Sequence, residues 1–413
     1  MKKIAVPMIL LAIAGVAGAQ SSVTLFGVID TSISSYGTKS TRYVVPETTI
    51  KQTQTVLSSN SFVPSRLGFR GTEDLGGGLS ANFWLEGQLA TDDGGAAFFS
   101  RRSTVSLAGP FGELRLGRDY TPTFWIDTLF DPMNNIGVGA SLIGSVNGRI
   151  APAAALSGGG LLNTQLGGAL DNYIRTSNAI GYFLPPGLGG FYGQVMYALP
   201  EGIKNSLVPG SPSNRGGLYG ARFGYANGPL DVAGSYVEST PVDAVAPFIT
   251  PARERKVKMA DLAASYDFKL LKLFGEISRT TDDLVAALGS TGAPSALTSR
   301  TSTNYEGALV GVTVPIGAGM VRSAYSYVKS KTDAPGLLPA NQDASASRFA
   351  IGYVYYLSKR TLLSATAAYT RMKDAQNNPV MGILPGLAIG YVTTGGYAPR
   401  SSTGYDVGIT HSF

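Results

Sequence analysis

The stretch Tyr405-Asp-Val-Gly-Ile-Thr-His-Ser-Phe413 decides the fold class of this chain, because its residues alternate in polarity. The odd positions are apolar or aromatic apart from His411, and the even positions are small or polar. Alternation over about ten residues, bounded by turn residues, is typical of strands in a transmembrane β-barrel. The pattern recurs along most of the chain from Val23 onward. A soluble β-sandwich would share this period, with shorter strands and turns of similar length at both ends.

The connections between the alternating segments differ in length at the two ends of the strands, which favours the membrane barrel. Seven of them are short and rich in Gly, Pro or Asn: Glu73–Gly78, Gly109–Gly112, Leu184–Gly190, Ala226–Pro229, Asp267–Lys269, Ile316–Gly319 and Leu357–Thr361. The eight between them are mostly long and polar: Thr38–Asn60, Asp92–Ala97, Asp119–Ile174, Pro200–Asn214, Thr240–Arg255, Thr281–Ser302, Lys331–Ala346 and Asp374–Ser402. Short turns on one rim and long loops on the other are the outer-membrane arrangement. The pattern predicts an all-β, 16-stranded antiparallel transmembrane barrel, closed so that no strand edge faces lipid.

The N-terminus has the features of an export signal. Lys2 and Lys3 precede the apolar segment Ile4–Val16, and the small residues Ala17-Gly18-Ala19 come next. We therefore expect residues 1–19 to be a signal peptide and residues 20–413 to form the barrel. Without Lys2 and Lys3 the chain has 31 basic against 27 acidic residues, a net charge of +4. That mild excess does not indicate nucleic acid binding.

The longest connection, Asp119–Ile174, shows no sustained period, and Arg149 is the one charge from Gly137 to Leu170. Most connections take about 4–6 residues, so a loop this long is either disordered or functional. We expect it to fold into the lumen as a constriction loop that narrows the pore. Arg118 and Arg175 flank it and are expected to lie on the facing wall.

Strand parity separates the lumen face from the lipid face. Leu67 and Phe69 share the lipid phase, which places Arg66 and Arg70 inside the barrel. A charge facing lipid at the midplane costs roughly 2–4 kcal/mol, whereas a wet lumen accepts it. Five acids also fall in the lumen phase: Asp30, Asp231, Asp261, Glu276 and Asp406.

The chain resembles the general diffusion porins of the Gram-negative outer membrane, of the type found in Neisseria-like and Burkholderia-like bacteria. The resemblance is carried by Val23–Gly27, Ser65–Gly78, Phe111–Arg118, Arg175–Asn178 and the terminal Phe413. It implies a homotrimer of barrels, an inward third loop, and a role for Phe413 in assembly. It also implies that Arg66, Arg118 and Arg175 line the constriction, with Glu86 nearby.

Counting from the nearest short turn tests that assignment. Arg66, Glu86, Arg102, Arg118 and Arg175 all fall roughly 16–24 Å above the periplasmic rim, which makes a ring at mid-height. Parity places Arg66, Glu86, Arg102 and Arg175 inside. Arg118 shares its phase with Leu114 and Leu116, so it needs a β-bulge or a strand end at Gly117 to turn inward.

The constriction loop offers two candidate acids. Enteric porins carry a Pro-Glu-Phe-Gly-Gly motif on this loop, whose acid faces the arginines across the pore. The motif does not occur here, and Asp127 and Asp131 are the acids best placed to substitute for it and so to offset the arginines. For Asp131 a helix or turn boundary before Pro132 is an equally good interpretation.

Other functions fit the sequence less well. Most outer-membrane enzymes need a His as general acid or base, and this chain has one, His411, on the lipid phase of the last strand. There is no Cys, and the acids are dispersed without EF-hand spacing, so no metal site or cofactor is expected. A sugar-selective channel would stack aromatic residues along the lumen. Those in the lumen phase lie on separated strands: Phe26, Trp84, Phe183, Phe274 and Tyr356.

We therefore expect a non-enzymatic outer-membrane channel for small hydrophilic solutes, with a mild preference for anions. The expected partners are two further copies of the chain, outer-membrane lipid and lipopolysaccharide. Small residues on the outer faces of the first five strands predict the trimer contact: Gly27, Thr31, Ser65, Gly71, Ala81 and Ser103.

Overall fold

The structure is a computed structural model of the 413-residue chain. It describes residues 22–150, 172–200, 216–241, 253–288, 297–333, 343–378, 380–381, 391 and 395–413. The predicted signal peptide at residues 1–19 lies outside the described residues.

Seventeen strands within the described residues form one antiparallel sheet. They are β1 Ser22–Arg42, β2 Thr49–Ser59, β3 Arg66–Gly76, β4 Leu79–Leu89, β5 Ala96–Gly109, β6 Gly112–Tyr120, β7 Arg175–Phe183, β8 Phe191–Ala198, β9 Leu218–Asn227, β10 Leu230–Ser239, β11 Arg253–Asp267, β12 Lys272–Leu288, β13 Leu297–Ile316, β14 Gly319–Asp333, β15 Ala344–Tyr356, β16 Thr361–Lys373 and β17 Tyr397–Ser412. Because β17 pairs with β1 from Val28 to Arg42, the sheet closes on itself.

The barrel has sixteen strands rather than seventeen, because β2 and β3 are two parts of its second strand. β2 pairs with the upper part of β1, from Thr31 to Thr41, and β3 pairs with the lower part, from Ser22 to Val28. The 16-stranded antiparallel barrel predicted from the sequence is confirmed. Outward-facing apolar side chains are exposed on its surface, as Val407 shows at 63%, whereas the adjacent Asp406 is 3% exposed in the lumen.

The seven predicted short turns are confirmed, but several strands extend further towards the long loops than expected. The predicted loop Thr38–Asn60 is wrong, because β1 continues to Arg42 and the chain returns as β2 from Thr49. The predicted loop Thr281–Ser302 is shorter for the same reason, since β12 continues to Leu288 and β13 begins at Leu297. β2 and the first part of β13 are rich in Thr, Ser and Gln and have no continuous apolar face, so hydrophobic periodicity does not reveal them.

Between β2 and β3 the chain leaves the wall, and Asp30 of β1 holds this short segment in place. The Asp30 carboxylate accepts hydrogen bonds from the backbone N–H groups of Ser61 at 2.8 Å and of Phe62 and Val63 at 3.2 Å. Asn134 of the constriction loop donates to the Phe62 carbonyl oxygen at 3.4 Å. The segment therefore contacts the constriction loop inside the barrel.

The constriction loop contains two helices in its described part, α1 Pro122–Leu129 and α2 Leu142–Ile150. Thr121 caps α1 by accepting from the Phe124 N–H at 3.3 Å, and Pro122 suits the first helical position because it lacks an N–H. Arg149 lies in the last turn of α2, where a cation complements the helix dipole. Neither of these helices is long and apolar enough to cross a membrane.

Both helices bury their apolar side chains against the inner wall. Ile126 of α1 and Phe130, the C-cap residue after it, pack on Ala233 of β10 and Ala263 of β11. The α2 residues Leu142, Ile143, Val146 and Ile150 join a larger cluster with side chains of β11, β13, β14, β15 and β16. The loop is therefore fixed to one side of the barrel, and it leaves the wall from β3 to β7 as the opposite side of the lumen.

Candidate functional site

Five consecutive strands, β3 to β7, place charged side chains on the lumen side, and we call this set of strands the arginine wall. It contains the predicted residues Arg66, Arg70, Glu86, Arg102 and Arg175, together with Arg101, Arg115, Glu113 and Asp119. Opposite residues in the pairing place them at similar height, since Glu86 pairs with Arg102 and Tyr120 pairs with Arg175. Glu86 thus lies level with Arg102, and Tyr120 with Arg175, while the ring of constriction residues stays a prediction.

Glu86 is the central acid of this wall. Its carboxylate accepts from Arg101 Nε at 2.5 Å and from Trp84 Nε1 at 3.1 Å, and Arg66 Nε lies 4.0 Å away. The Glu86 and Arg101 side chains are only 6% and 5% exposed, whereas the Arg66 side chain is 26% exposed. Arg66 therefore presents its charge to water, while Arg101 is occupied in neutralising Glu86.

Arg101 was not predicted as a site residue, because it has the opposite parity to Arg102. The β4–β5 register shifts here, from Glu86 opposite Arg102 to Gln88 opposite Ala97. Phe99 within the shift has a φ of +51°, a conformation that non-glycine residues seldom adopt. A β-bulge of this kind breaks the alternation and lets two adjacent arginines reach the same face.

The inward turn predicted for Arg118 is not found, because Arg118 pairs with Ser103 of β5 without a register shift and so keeps the phase of Leu116. The β6–β7 register shifts between Gly117 and Asp119, and Gly117 has a φ of +124°, which favours glycine. The extra residue of this irregularity lies on β7, between Thr176 and Ala179. Arg118 donates to the Ser100 carbonyl oxygen at 2.6 Å and to the Ser177 hydroxyl at 3.0 Å. Arg118 thus bridges β5 and β7 at the height where the constriction loop begins.

Tyr120, at the end of β6, joins the arginine wall to the constriction loop. Its hydroxyl accepts from Arg101 at 2.8 Å and from Arg175 at 3.2 Å, and the Arg175 guanidinium lies 4.6 Å from the ring centroid. On its other side the ring stacks on Phe124 of α1, with centroids 5.4 Å apart and planes at 8°. Sequence analysis missed Tyr120, although its place next to the predicted loop start at Asp119 was the available signal.

Arg102 and Arg70 extend the positive wall towards the periplasmic rim. The Trp84 ring lies between them, 4.5 Å from the Arg102 guanidinium and 5.3 Å from that of Arg70. Arg102 Nε is 3.7 Å from Asp119, which Arg115 also binds at 2.5 Å. Several guanidiniums thus share few carboxylates, and the wall keeps a net positive charge.

The structure contradicts the prediction that Asp127 faces the arginine wall. Asp127 lies on the opposite side of α1 and is 0% exposed. Its Oδ2 accepts hydrogen bonds from the Tyr173 hydroxyl and from Asn147 Nδ2, the latter at 3.3 Å. Its carboxylate lies beside those of Asp261 and Glu276, although the sequence suggested dispersed acids. The helical period of α1, which the sequence did not reveal, turns this side chain away from the water.

The prediction for Asp131 as a constriction acid is also wrong, and the alternative of a turn before Pro132 is confirmed. Asp131 is 2% exposed. Its Oδ1 accepts from the Met133 N–H at 2.8 Å, and its Oδ2 accepts from Asn135 at 3.1 Å and Ser141 at 3.0 Å. Burial raises the pKa of Asp131 from 3.8 to about 6, while these three donors oppose the rise. Asp131 organises the loop and does not line the water path.

Other lumen-phase charges also fix loops rather than face water. Asp406 accepts from the Val138 N–H of the constriction loop at 3.0 Å. Arg322 donates to the Pro132 carbonyl oxygen at 3.3 Å, and Arg348 donates to that of Ala140 at 2.6 Å. Arg322 and Arg348 are 2% and 3% exposed. The wall from β10 to β17, which we call the docking wall, is therefore covered by the loop.

Two remaining predicted features concern the outer surface. His411 is exposed on the lipid phase of β17, and its Nδ1 lies 2.9 Å from the Thr361 hydroxyl. The Phe413 ring lies over Gly27 so closely that a Cβ there would come within 2.3 Å of it. The C-terminal aromatic is thus seated on β1, where the barrel closes.

Comparisons with known proteins agree with this geometry. Residues 5–375 match the model of the Gram-negative porin family. Outer membrane porin protein 32 of Delftia acidovorans is 35% identical over the full length of both chains. An outer membrane porin protein of Bordetella pertussis is 29% identical over 92% of this chain and 98% of its own. The solved anion-selective porin from Comamonas acidovorans superposes with a TM-score of 0.65 at 31% identity, covering 95% of this chain and 100% of that one.

Proposed function

Because the chain belongs to the Gram-negative porin family and forms an outer-membrane diffusion channel, we propose that this channel prefers anions to cations. The arginine wall is the observation that carries the proposal. Arg66, Arg70, Arg102 and Arg175 lie on neighbouring strands where the constriction loop narrows the lumen, and Glu86 and Asp119 are each bound by arginines. The solved relative named as an anion-selective porin supports the same sign.

Burial of the loop acids strengthens this proposal. The sequence suggested that Asp127 and Asp131 offset the arginines across the eyelet, but both are removed from water. The charge separation across the pore, between the arginine wall and acids on the loop, is therefore weaker than the sequence suggested. The net positive charge at the eyelet, the narrowest part of the lumen, is correspondingly larger. In a confined passage with low-dielectric walls this charge is less screened than in the vestibules, where the Debye length is about 10 Å at 0.1 M salt.

The zero-current potential in a potassium chloride gradient tests this proposal. Wild-type channels in planar bilayers should show a potential with the sign of chloride permeation, larger at low ionic strength. The double variant Arg66→Glu with Arg175→Glu should reverse that sign, while Lys329→Glu, an exposed position on β14, should leave it unchanged. A wild-type preference for potassium would refute the assignment.

A channel selective for aromatic or sugar solutes is supported less well by the geometry. Phe26 and Trp84, expected on separated strands, form an edge-to-face pair with centroids 5.0 Å apart. They lie beside Arg70 and Arg102 rather than continuing as a track, since Phe183 and Phe274 instead contact Arg115 and Lys272. Trp84, Phe183 and Phe274 thus contact cationic side chains and do not form a continuous aromatic track.

The assembly and export expectations remain proposals as well. We propose a homotrimer in contact with outer-membrane lipid and lipopolysaccharide, exported by the signal peptide at residues 1–19. The predicted contact through small residues needs correction, because Ser65 is 0% exposed and binds the backbone of Asp30. Gly27 and Gly71 lie beneath the rings of Phe413 and Phe83. Chemical cross-linking in mild detergent should give a three-chain band that heating dissociates, and a species that stays monomeric would refute the trimer.

A further inference from the structure

Three carboxylates from three different elements lie close together between α1 and the barrel wall. Asp127 lies on α1, Asp261 on β11 and Glu276 on β12, and one oxygen of each lies within 4.8 Å of the others. The β11–β12 register pairs Ala263 with Glu276, so the two wall acids are diagonal neighbours on the lumen side. Their exposures are 0%, 6% and 3%. The loop therefore brings a third negative charge onto two that are already buried.

The hydrogen bonds of this cluster satisfy only part of it. Asp127 Oδ2 accepts from Tyr173 and Asn147, and Asp261 Oδ2 accepts from the Ser235 hydroxyl at 2.9 Å. Four oxygens remain buried without a donor: Asp127 Oδ1, Asp261 Oδ1 and both oxygens of Glu276. Among the described residues, no Lys or Arg forms an ion pair with any of the three acids. Burying ionised carboxylates without a partner costs free energy, so a positive charge among these oxygens would stabilise the cluster.

We propose that Asp127, Asp261 and Glu276 bind one divalent cation of the oxygen-preferring class, such as Ca²⁺, between α1 and the barrel wall. Ca²⁺ takes oxygen ligands at 2.3–2.6 Å, so two ligands on one ion lie up to about 5 Å apart, which the cluster satisfies. The donors are carboxylate oxygens, which suit hard cations and not thiophilic metals.

Two protons shared among the three carboxyl groups would also occupy the four oxygens, and the carboxyl groups of Asp127 and Glu276 lie within hydrogen-bond reach of each other. The donors already present favour the cation, because Tyr173, Asn147 and Ser235 all donate to the carboxylates and so stabilise their ionised forms. A divalent cation keeps these bonds and neutralises most of the charge, whereas protonation weakens them.

Such an ion would fix α1 of the constriction loop to the barrel wall. Asp127 is one turn from Phe124, whose ring stacks on Tyr120 of the arginine wall. An ion joining Asp127 to β11 and β12 therefore sets the distance between the two sides of the eyelet. This consequence rests on the proposed channel function, but ion binding itself is measured without any solute flux, so the two can fail separately.

The test uses the full mature chain refolded in detergent without lipopolysaccharide, which itself carries divalent cations. After chelator treatment, Ca²⁺ is titrated by calorimetry, and Tb³⁺ luminescence sensitised by nearby aromatic residues gives a second measurement. We expect one ion per chain in the wild type, displaced from Tb³⁺ by Ca²⁺. Glu276→Gln, which removes one charge from the ligand set, should lower the affinity by at least about tenfold.

Glu306→Gln is the matched control, because Glu306 lies on the adjacent strand β13, is exposed and pairs with Lys329 at 2.7 Å. It should bind Ca²⁺ as the wild type does. Equal binding by wild type and Glu276→Gln would place the ion elsewhere and overturn the proposal. If Glu276→Gln does not fold, the wild-type titration decides: no bound ion, with proton uptake on folding at neutral pH, would overturn it in favour of shared protons.

Discussion

The arginine wall and the docking wall have the same strand architecture and the same alternation, yet their charged side chains do different work. On the arginine wall, Arg66 and Arg102 keep side-chain exposures of 26% and 15% and face the lumen water. On the docking wall, Arg322 and Arg348 are nearly fully buried and donate to carbonyl oxygens of the loop. Strand alternation determines which charged side chains point into the lumen. Packing of the constriction loop determines which of those side chains remain exposed to the permeating ion.

The largest expected effect comes from removing the cause of this difference. Deleting residues 137–170 should raise single-channel conductance severalfold, because α2 no longer occupies the lumen and Arg348 becomes hydrated. The barrel should still assemble, since its strand hydrogen bonds do not involve the loop. Conductance and the heat-induced gel shift measure the two outcomes. Unchanged conductance would mean that the loop does not narrow the pore.

The second prediction concerns the most buried ion pair of the arginine wall. Arg101→Ala leaves Glu86 with Trp84 and the more distant Arg66, and should lower the free energy of unfolding by about 2–3 kcal/mol. Arg102→Ala is the matched control on the next residue, and its loss should be about 1 kcal/mol, because Asp119 retains Arg115. Urea unfolding in detergent measures both. A larger loss for Arg102→Ala would contradict the assignment of Arg101 as the structural partner.

The third prediction compares one arginine from each wall. An ion about 4 Å from a guanidinium gains about 1 kcal/mol in bulk water, so Arg66→Met, which removes a side chain that is 26% exposed, should reduce the chloride-to-potassium permeability ratio about fivefold. Arg348→Met should leave that ratio unchanged and instead increase open-channel current noise, since it removes the bonds to Ala140 and Ser145. A similar change of ratio in both variants would show that the two walls do not differ in this way.

The same contrast explains which parts could be predicted from the sequence. Alternation and turn chemistry act locally, so they were sufficient for the barrel, the short turns and the inward placement of Arg66, Arg70, Glu86, Arg102 and Arg175. Arg101 was missed because a bulge reverses the parity on which the prediction depended. Asp127 and Asp131 were misassigned because their orientation depends on α1 docking on β10 and β11, which is a tertiary contact without a sequence period.

The smallest expected effect is a pH dependence of the loop, set by Asp131. Burial raises its pKa from 3.8 to about 6, so the folded site favours the protonated carboxyl relative to the unfolded chain. The protonated Asp131 carboxyl therefore contributes to the free energy of unfolding. That contribution is fully present below about pH 4 and is lost as the pH rises through about 6. Arg322, the nearby cation, and the three N–H donors limit this loss of stability. We therefore expect open-channel current noise to increase slightly between about pH 4.5 and about pH 7. The increase should occur over about 2 pH units, centred on the pKa of Asp131. Asp131→Asn cannot ionise, so this step should vanish even if its baseline noise differs. An identical step in that variant would assign the titration to another group of the loop.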